Sequence, residues 1–181
     1  TRAIELDPDN EAAYFNRASV WEELGVYDKA IDDYSEAVRL NSTDSDNFNN
    51  RAILYDEVGK YELALQDYKE AIRIAPDDAV LFYNRSDTYY KLGRFDDAIA
   101  DATKAIELDP EEADAYYNRG EAHLALKNWD KSIADFSKSL ELEKNDPLSL
   151  FRRGKAYAGK GNDRVAISDF DEAIRLDTEY A

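Results

Sequence analysis

Apolar and polar residues alternate along this chain with the spacing of amphipathic helices, and the whole pattern returns every 34 residues. With Glu11 taken as position 1, the pattern predicts five full repeats, 11–44, 45–78, 79–112, 113–146 and 147–181, the last including the final residue. Residues 1–10 match positions 25 to 34 of a preceding repeat. Helical spacing over positions 1 to 14 and again over 17 to 30 predicts a helix–turn–helix in each repeat.

Small residues recur where two helices must approach closely. Positions 8, 20 and 27 hold only Ala, Ser or Gly in all five repeats, with larger side chains at positions 4 and 24 around them. Position 15 is Gly in four repeats, as a helix ending in a left-handed turn favours, and Lys127 replaces it in the fourth. Asp146 followed by Pro147 predicts the cap and first residue of a helix.

These positions resemble the tetratricopeptide repeat family over essentially the whole chain. The resemblance rests on the 34-residue period, the small residues, aromatic residues at positions 11, 17 and 24, and proline at position 32. It implies an all-α fold, a right-handed superhelical solenoid of antiparallel helix pairs in one continuous domain. It also implies a concave groove, lined by the first helices, that binds an extended peptide or partner segment. The expected function is a protein–protein interaction scaffold.

Arginine stands at position 7 and aspartate at position 23 in every repeat. An arginine beside the core needs a partner, because an unpaired buried charge is costly. One aspartate per arginine predicts structural ion pairs within or between repeats, with ligand contact as the alternative. The residues are Arg17, Arg51, Arg85, Arg119 and Arg153, with Asp33, Asp67, Asp101, Asp135 and Asp169.

The groove face of the first helices comprises positions 2, 5, 6, 9, 12 and 13, which share one side of a helix. Position 6 carries Asn16, Asn50, Asn84 and Asn118, and Arg152 in the last repeat. A carboxamide both donates and accepts, which suits the backbone of an extended peptide. A sugar transferase with this kind of repeat uses a similar asparagine ladder. The alternative is that asparagine is merely tolerated on a hydrated face.

The rest of the predicted groove is aromatic and acidic. Its further candidate residues are Phe15, Tyr83, Tyr117 and Phe151 at position 5, with Asp87 and Lys155 at position 9. Acidic residues outnumber basic ones on this face, which predicts a neutral to basic ligand with any acidic group near Arg152 and Lys155. The acids could instead serve solubility alone. A clamp for ligand carboxylates, known in co-chaperones of the family, is disfavoured because Asp87 would repel them.

Composition narrows the function classes. The chain has 23 Lys and Arg against 40 Asp and Glu, a net charge of −17, which argues against nucleic acid and anionic membranes. No apolar run reaches the roughly 18 residues of a membrane span. There is no cysteine, and the single histidine, His123, stands at core position 11. We expect no enzyme activity, no cofactor and no metal, and no compartment is indicated beyond a default of cytoplasm.

A second function class is a structural spacer or self-associating segment. The chain starts without Met, apparently inside a helix, so it resembles an excised piece to which a targeting signal could be attached. Apolar seams left open on the terminal helices would then join copies end to end. The residues expected at those seams are Ile4, Leu6, Phe170, Ile174 and Leu176.

Overall fold

The computed structural model describes residues 2–176, and over that range the chain consists of α-helices joined by short turns. The all-α fold class is therefore confirmed. The chain divides into two compact units, Thr1–Thr88 and Tyr89–Ala181. The repeat boundaries and the single continuous domain stay predictions, and residues 1 and 177–181 of the terminal segments lie outside the described residues.

The helices pack on one another in chain order within each unit. In the first unit, α2 packs on α3, α3 on α4 and α4 on α5; in the second, the same succession runs from α7 to α11. The boundary between the units falls inside α6. The helices are α1 (Arg2–Leu6), α2 (Glu11–Glu23), α3 (Tyr27–Leu40), α4 (Ser45–Glu57), α5 (Tyr61–Ile74), α6 (Ala79–Lys91), α7 (Phe95–Leu108), α8 (Ala113–Ala125), α9 (Trp129–Leu142), α10 (Pro147–Gly159) and α11 (Asp163–Leu176).

Local sequence signals place the helix ends. The Asn10 side chain accepts a hydrogen bond from the Ala13 N–H at 3.0 Å, which caps α2. The Asp146 carboxylate accepts from two backbone N–H groups, and α10 begins at Pro147, as predicted. First helices stop after position 13, one residue earlier than predicted, because the chain turns toward the left-handed residue at position 15.

The small positions allow close contact between the two helices of a repeat. Ala18, Ala30 and Ala37 are completely buried in the first repeat. The contact is tightest in the last repeat, where a Cβ on Gly154 would lie 2.6 Å from Cε1 of Phe170. Position 8 therefore tolerates alanine only where the facing ring leaves room for it.

Lys127 takes the left-handed conformation that glycine takes in the other repeats. Its φ is 58°, and the glycines at position 15 have φ between 70° and 84°. A side chain at such φ costs on the order of 1 kcal/mol. We expect Lys127→Gly to raise the free energy of unfolding by about this amount, measured by urea denaturation.

The reverse change, Gly59→Lys, is the matched control at the same position of the second repeat, where φ is 74°. It should destabilise the protein by a similar amount. A loss of stability in Lys127→Gly would mean that the lysine makes a contact worth more than its backbone strain.

His123 is a core residue, as its position predicts. It is 6% exposed, and among the described residues its Nδ1 has no hydrogen-bond partner. Burial lowers the pKa of His123; Asp135 opposes this effect, and Lys131 and Arg119 add to it. The folded protein therefore resists protonation at this side chain.

The unfolding free energy should consequently decrease as the pH is lowered, because of this side chain. Below the ordinary histidine pKa of 6.5, the unfolded chain takes up a proton that the folded chain resists, which favours unfolding. Wild type should lose stability relative to His123→Tyr as the pH falls from about 7 to 5, because the variant keeps every other titrating group. Urea unfolding at several pH values measures this difference, and parallel curves for the two proteins would contradict it.

Candidate ligand-binding groove

Arginine–aspartate pairs join the two helices of a repeat in both units. In the second repeat, Arg51 donates from Nε and Nη2 to the two carboxylate oxygens of Asp67, at 2.7 and 2.8 Å. The aspartates are 5–6% exposed and the arginine side chains 15–29%. The same two-bond geometry occurs in Arg17–Asp33, Arg51–Asp67, Arg119–Asp135 and Arg153–Asp169.

These four pairs thus lie within repeats and not between neighbouring ones. Arg85 belongs to the first unit and Asp101 to the second. Burial opposes the charge of Arg51 and its bonds with Asp67 favour it, so that the net pKa of Arg51 lies above its usual value. These arginines are committed to the scaffold and offer a ligand little.

Three of these arginines also donate to a side chain of the preceding repeat, a contact that the uniform Arg and Asp positions do not predict. The Nη1 of Arg51 donates to the hydroxyl of Ser35 at 3.1 Å, and Arg119 and Arg153 donate likewise to Thr103 and Ser137 at 3.3 Å. The signal was present in the sequence as Ser or Thr at position 25 of those repeats. Each of these arginines therefore connects three helices.

Removing one member of a pair should cost far more than the pair contributes. We expect Arg51→Met to lower the unfolding free energy by about 3–5 kcal/mol, because it leaves Asp67 buried without its partner. The double variant Arg51→Met/Asp67→Leu should recover most of that loss. Chemical denaturation of the four proteins gives the coupling energy.

The exposed pair Arg39–Glu36 is the matched control, with side chains 59% and 43% exposed. Solvent screens such a pair, so its removal should leave stability unchanged within error. Equal effects at the two pairs would contradict a structural role for Arg51.

The four groove asparagines differ in how far their amides are already used. Asn16 is exposed and Asn50 half-buried, and neither side chain makes a hydrogen bond among the described residues. Asn84 donates from Nδ2 to the Oδ1 of Asn49 at 3.1 Å. Asn118 is half-buried on α8 of the second unit. The amide groups most available to a ligand are therefore those of Asn16 and Asn50.

Arg152 occupies the equivalent position of α10 and is held by two groove residues. Its Nε lies 3.1 Å from Oε1 of Glu121 and donates to the Tyr117 hydroxyl at 3.3 Å. Glu121 is 5% exposed. Burial opposes the charge of Arg152, whereas Tyr117 and Glu121 favour it, and its pKa is raised. Arg152 is thus a neutralised cation, and the exposed Lys155 is the freer charge nearby.

Aromatic rings at position 5 serve packing as well as the groove. Phe15 meets Tyr34 edge to face, with centroids 5.4 Å apart. Tyr117–Phe136 and Phe151–Phe170 pack similarly at 5.5 and 5.6 Å. These position-5 rings, like Tyr83 on α6, are half-buried. Burial, with the nearby Glu121, raises the pKa of Tyr117 to about 12.

Two groove acids bind hydroxyl groups of the scaffold. The Tyr34 hydroxyl donates to Glu22 at 3.2 Å, and the Thr88 hydroxyl donates to the buried Asp56 at 2.9 Å. For the Tyr34–Glu22 bond the sequence signal was available, because both repeats with Tyr at position 24 carry an acid at position 12. Repeats with Phe136 or Phe170 there carry Leu124 or Ala158 instead.

All the charged residues on the groove face of the first unit are acidic. None of its six acids shares that face with a Lys or Arg of the same unit. Burial, with Asp44 and Asp78 nearby, raises the pKa of Asp46. The acids are Glu22, Glu23, Asp46, Asp56, Glu57 and Asp87.

Neither metal-binding nor membrane-spanning features are found in residues 2–176. That range holds no cluster of three or more His, Cys, Asp or Glu side chains able to bind a metal ion. None of its helices has the length and apolar character to cross a bilayer.

Family models agree with the geometry. One model described as a tetratricopeptide repeat matches residues 1–45 and 83–149, and others match 34–66, 55–93 and 148–180. The chain belongs to the tetratricopeptide repeat family. No curated protein matches it.

Solved structures share the fold at low sequence identity. MamA (residues 41 to the end) from Desulfovibrio magneticus is 18% identical with a TM-score of 0.83, covering 93% of this chain and 96% of that one. YrrB, described as a TPR protein with an unusual peptide-binding site, is 22% identical with a TM-score of 0.75, covering 99% of this chain and 92% of that one. A chain of the Cut9–Hcn1 complex of APC/C is 21% identical with a TM-score of 0.85, covering 98% of this chain and 35% of that one.

Proposed function

We propose that this tetratricopeptide chain is a non-catalytic scaffold whose first unit binds an extended, neutral to basic segment of a partner protein. The observation that carries the proposal is the pair of carboxamides on Asn16 and Asn50. They stand on one helix face in successive repeats, without partners among the described residues. The peptide-binding site named for YrrB, a protein of the same fold, supports it.

Each free carboxamide can pair with both backbone groups of one extended residue. Asn84, at the same position of the next repeat, has a second amide hydrogen and its oxygen beyond the bond to Asn49. Such contacts read the backbone of the ligand and not its sequence, so they set extended conformation as the main requirement. Half-buried rings such as Phe15 add apolar contact.

Charge selects among extended ligands. The acids of the first-unit groove favour Lys or Arg side chains in the ligand through complementarity and faster encounter. Asp46 and Glu57 are exposed there, whereas Glu22 and Asp56 are already bonded to scaffold hydroxyls. Binding should therefore weaken as salt concentration rises.

The decisive experiment is a random-peptide display selection on wild type, followed by affinity measurement on the double variant Asn16→Ala/Asn50→Ala. Loss of two or more hydrogen bonds of about 1 kcal/mol each should weaken selected peptides by at least roughly tenfold. The selected peptides should be extended and enriched in Lys and Arg.

Asn128→Ala is the control, because Asn128 is exposed away from the groove and its side chain makes no capping bond. It should bind as wild type does. Unchanged affinity in the double variant would remove the asparagines from the mechanism, and a selection without binders would overturn peptide binding itself.

Self-association is a second candidate, favoured by one observation. Leu6, Val20, Leu24 and Ile167 are 73%, 52%, 64% and 58% exposed, and all four lie on the terminal helices α1, α2 and α11 or directly beside them. Exposed apolar side chains that join into one patch are typical of contact surfaces. Sedimentation velocity over a range of concentrations tests it, since a monomer at every concentration would refute association.

A further inference from the structure

A cavity of about 410 Å³ lies between α7, α8 and α9 of the second unit. Its volume falls in the range of sites that hold small organic ligands. Its walls come from positions 7 and 11 of α8 and from positions 19 to 25 of the second helices, none of which belongs to the groove face. Lys131 and Ala134 of α9 line the cavity and are exposed, so it is open to solvent. The cavity is therefore separate from the candidate groove.

His123 distinguishes this place from its equivalents in the other repeats. Position 11 is Tyr or Trp in the other four repeats. In the second repeat, the guanidinium of Arg51 lies over the Tyr55 ring, 5.8 Å from its centroid. Because an imidazole is smaller than a phenol, His123 leaves open a space beside Arg119 that a tyrosine ring would fill. The change of residue at position 11 thus makes room for a ligand.

The imidazole of His123 is buried with part of its hydrogen-bonding capacity unused. The side chain lines the cavity and is 6% exposed, and its Nδ1 has no hydrogen-bond partner among the described residues. Buried polar groups in native proteins nearly always have a partner, so an unsatisfied one requires an explanation. A polar ligand bound in the cavity is such an explanation.

Lys131 brings to the cavity a positive charge that pairs with no acid among the described residues. Its counterpart in the first repeat, Lys29, lies over the Trp21 ring at 4.3 Å from the centroid. In the fourth repeat His123 stands in place of that ring. Burial lowers the pKa of His123 and Lys131 adds to the effect, so the ammonium and the imidazole are near enough to interact. An anion bound beside both groups would be stabilised by the ammonium.

The other two charges on the cavity wall cancel each other. Arg119 donates from Nε and Nη2 to the two carboxylate oxygens of Asp135, at 3.0 and 2.7 Å. With this pair neutral, the described lining residues leave one net positive charge, on Lys131. The cavity therefore suits a ligand with a single negative charge.

Thr103 adds a hydroxyl group whose hydrogen is available. Its Oγ1 accepts from Nη1 of Arg119 at 3.3 Å, and the hydroxyl donates to no group of the described residues. The counterpart in the first repeat, Ser35, donates instead to the carbonyl oxygen of Ile31 at 2.7 Å. Thr103 of α7 and Lys131 of α9 thus offer donors from two walls of the same cavity.

We propose that this cavity binds a carboxylate carried by a short apolar group. The ammonium of Lys131 and the hydroxyl of Thr103 donate to the carboxylate oxygens, and Ile99 and Ala134 of the cavity wall contact the apolar group. Hydrogen bonds between charged groups of this kind are stronger than neutral ones. The site lies wholly on the second unit and does not depend on the function proposed for the groove.

Binding should be coupled to protonation of His123. Burial has the largest effect on this imidazole, and the charged groups that act on it are Asp135 and Lys131 from α9 and Arg119 from its own helix. The two side chains that α7 contributes to the cavity carry no charge. A bound carboxylate favours the imidazolium, so the pKa of His123 should rise in the complex. Affinity should therefore increase as the pH falls through the range in which histidine titrates.

The single histidine of the chain makes the test direct, because the imidazole proton signals in an NMR spectrum belong to His123 alone. The full chain is titrated with butyrate and, separately, with inorganic phosphate at about pH 6 and about pH 7.5. Butyrate should shift the His123 signals saturably, with an affinity at least roughly twofold higher at the lower pH. Phosphate should bind more weakly, because it lacks the apolar group. The absence of a saturable shift, an affinity that does not rise at the lower pH, or tighter binding of phosphate would overturn the proposal.

Variants at the exposed Lys131 separate a specific site from a general effect of charge. Lys131→Gln should weaken butyrate binding at least roughly tenfold. Lys138→Gln is the control, because it makes the same charge change on the same helix, where the ammonium lies 3.0 Å from Glu141; it should bind as wild type does. His123→Tyr should abolish binding by filling the cavity, as read from the backbone amide signal of Thr103. Circular dichroism checks the fold, and equal affinities in Lys131→Gln and Lys138→Gln would refute the site.

A free carboxylic acid and the side chain of a glutamate share this chemistry, and a comparison of butyrate with the blocked peptide acetyl-Ala-Glu-Ala-amide identifies the source. Tighter binding of butyrate assigns the cavity to a free acid, and tighter binding of the peptide assigns it to an acidic segment of a partner. The groove variant Asn16→Ala/Asn50→Ala should bind butyrate as wild type does, because both changes lie in the first unit. Loss of butyrate binding in that variant would contradict a separate site.

Discussion

A helix pair of this protein cannot bury its apolar faces alone, and it depends on the next pair to cover them. Position 10 shows this dependence directly, with Leu54 fully buried and Val20 half exposed although both are apolar residues of first helices. Stability in such an array is a sum of neighbour contacts. The same dependence means that a change at one such contact is felt by the helix pairs on both sides of it.

The arginine at position 7 makes the polar contacts that join a helix pair to the preceding one. Arg51 binds Asp67 of its own repeat and Ser35 of the preceding one, and so fixes both the helix pair and the step between pairs. Its charge is neutralised inside the scaffold. The ligand contacts proposed for the groove therefore fall to position 6 next to it, where side chains point away from the helix seam.

The side chains at position 6 differ because some of them already donate a hydrogen bond to the preceding repeat. Asn84 donates to Asn49 and Arg152 to Tyr117, in each case to the residue 35 positions earlier. A contact of this kind uses a donor that a ligand would otherwise take. The residue 35 positions before Asn50 is Phe15, whose side chain has no oxygen or nitrogen to accept a hydrogen bond, and the Asn50 side chain makes none among the described residues. A row of like residues thus has unequal binding capacity along its length.

The sequence by itself determined the helix pairs, their ends to within a residue, and the left-handed turns at the four glycines of position 15, because the period, the caps and the glycines act over a few residues. It also predicted that the arginines at position 7 pair with the aspartates at position 23, but it left open whether the partner lies in the same repeat, as Asp67 does for Arg51, or in a neighbouring one. Only the tertiary structure decided that Glu121 neutralises Arg152, that the Asn84 side chain is hydrogen-bonded to Asn49, and that the Val20 side chain is half exposed. Those outcomes depend on side chains about one repeat apart in sequence, whose approach is set by packing and by what covers each helix.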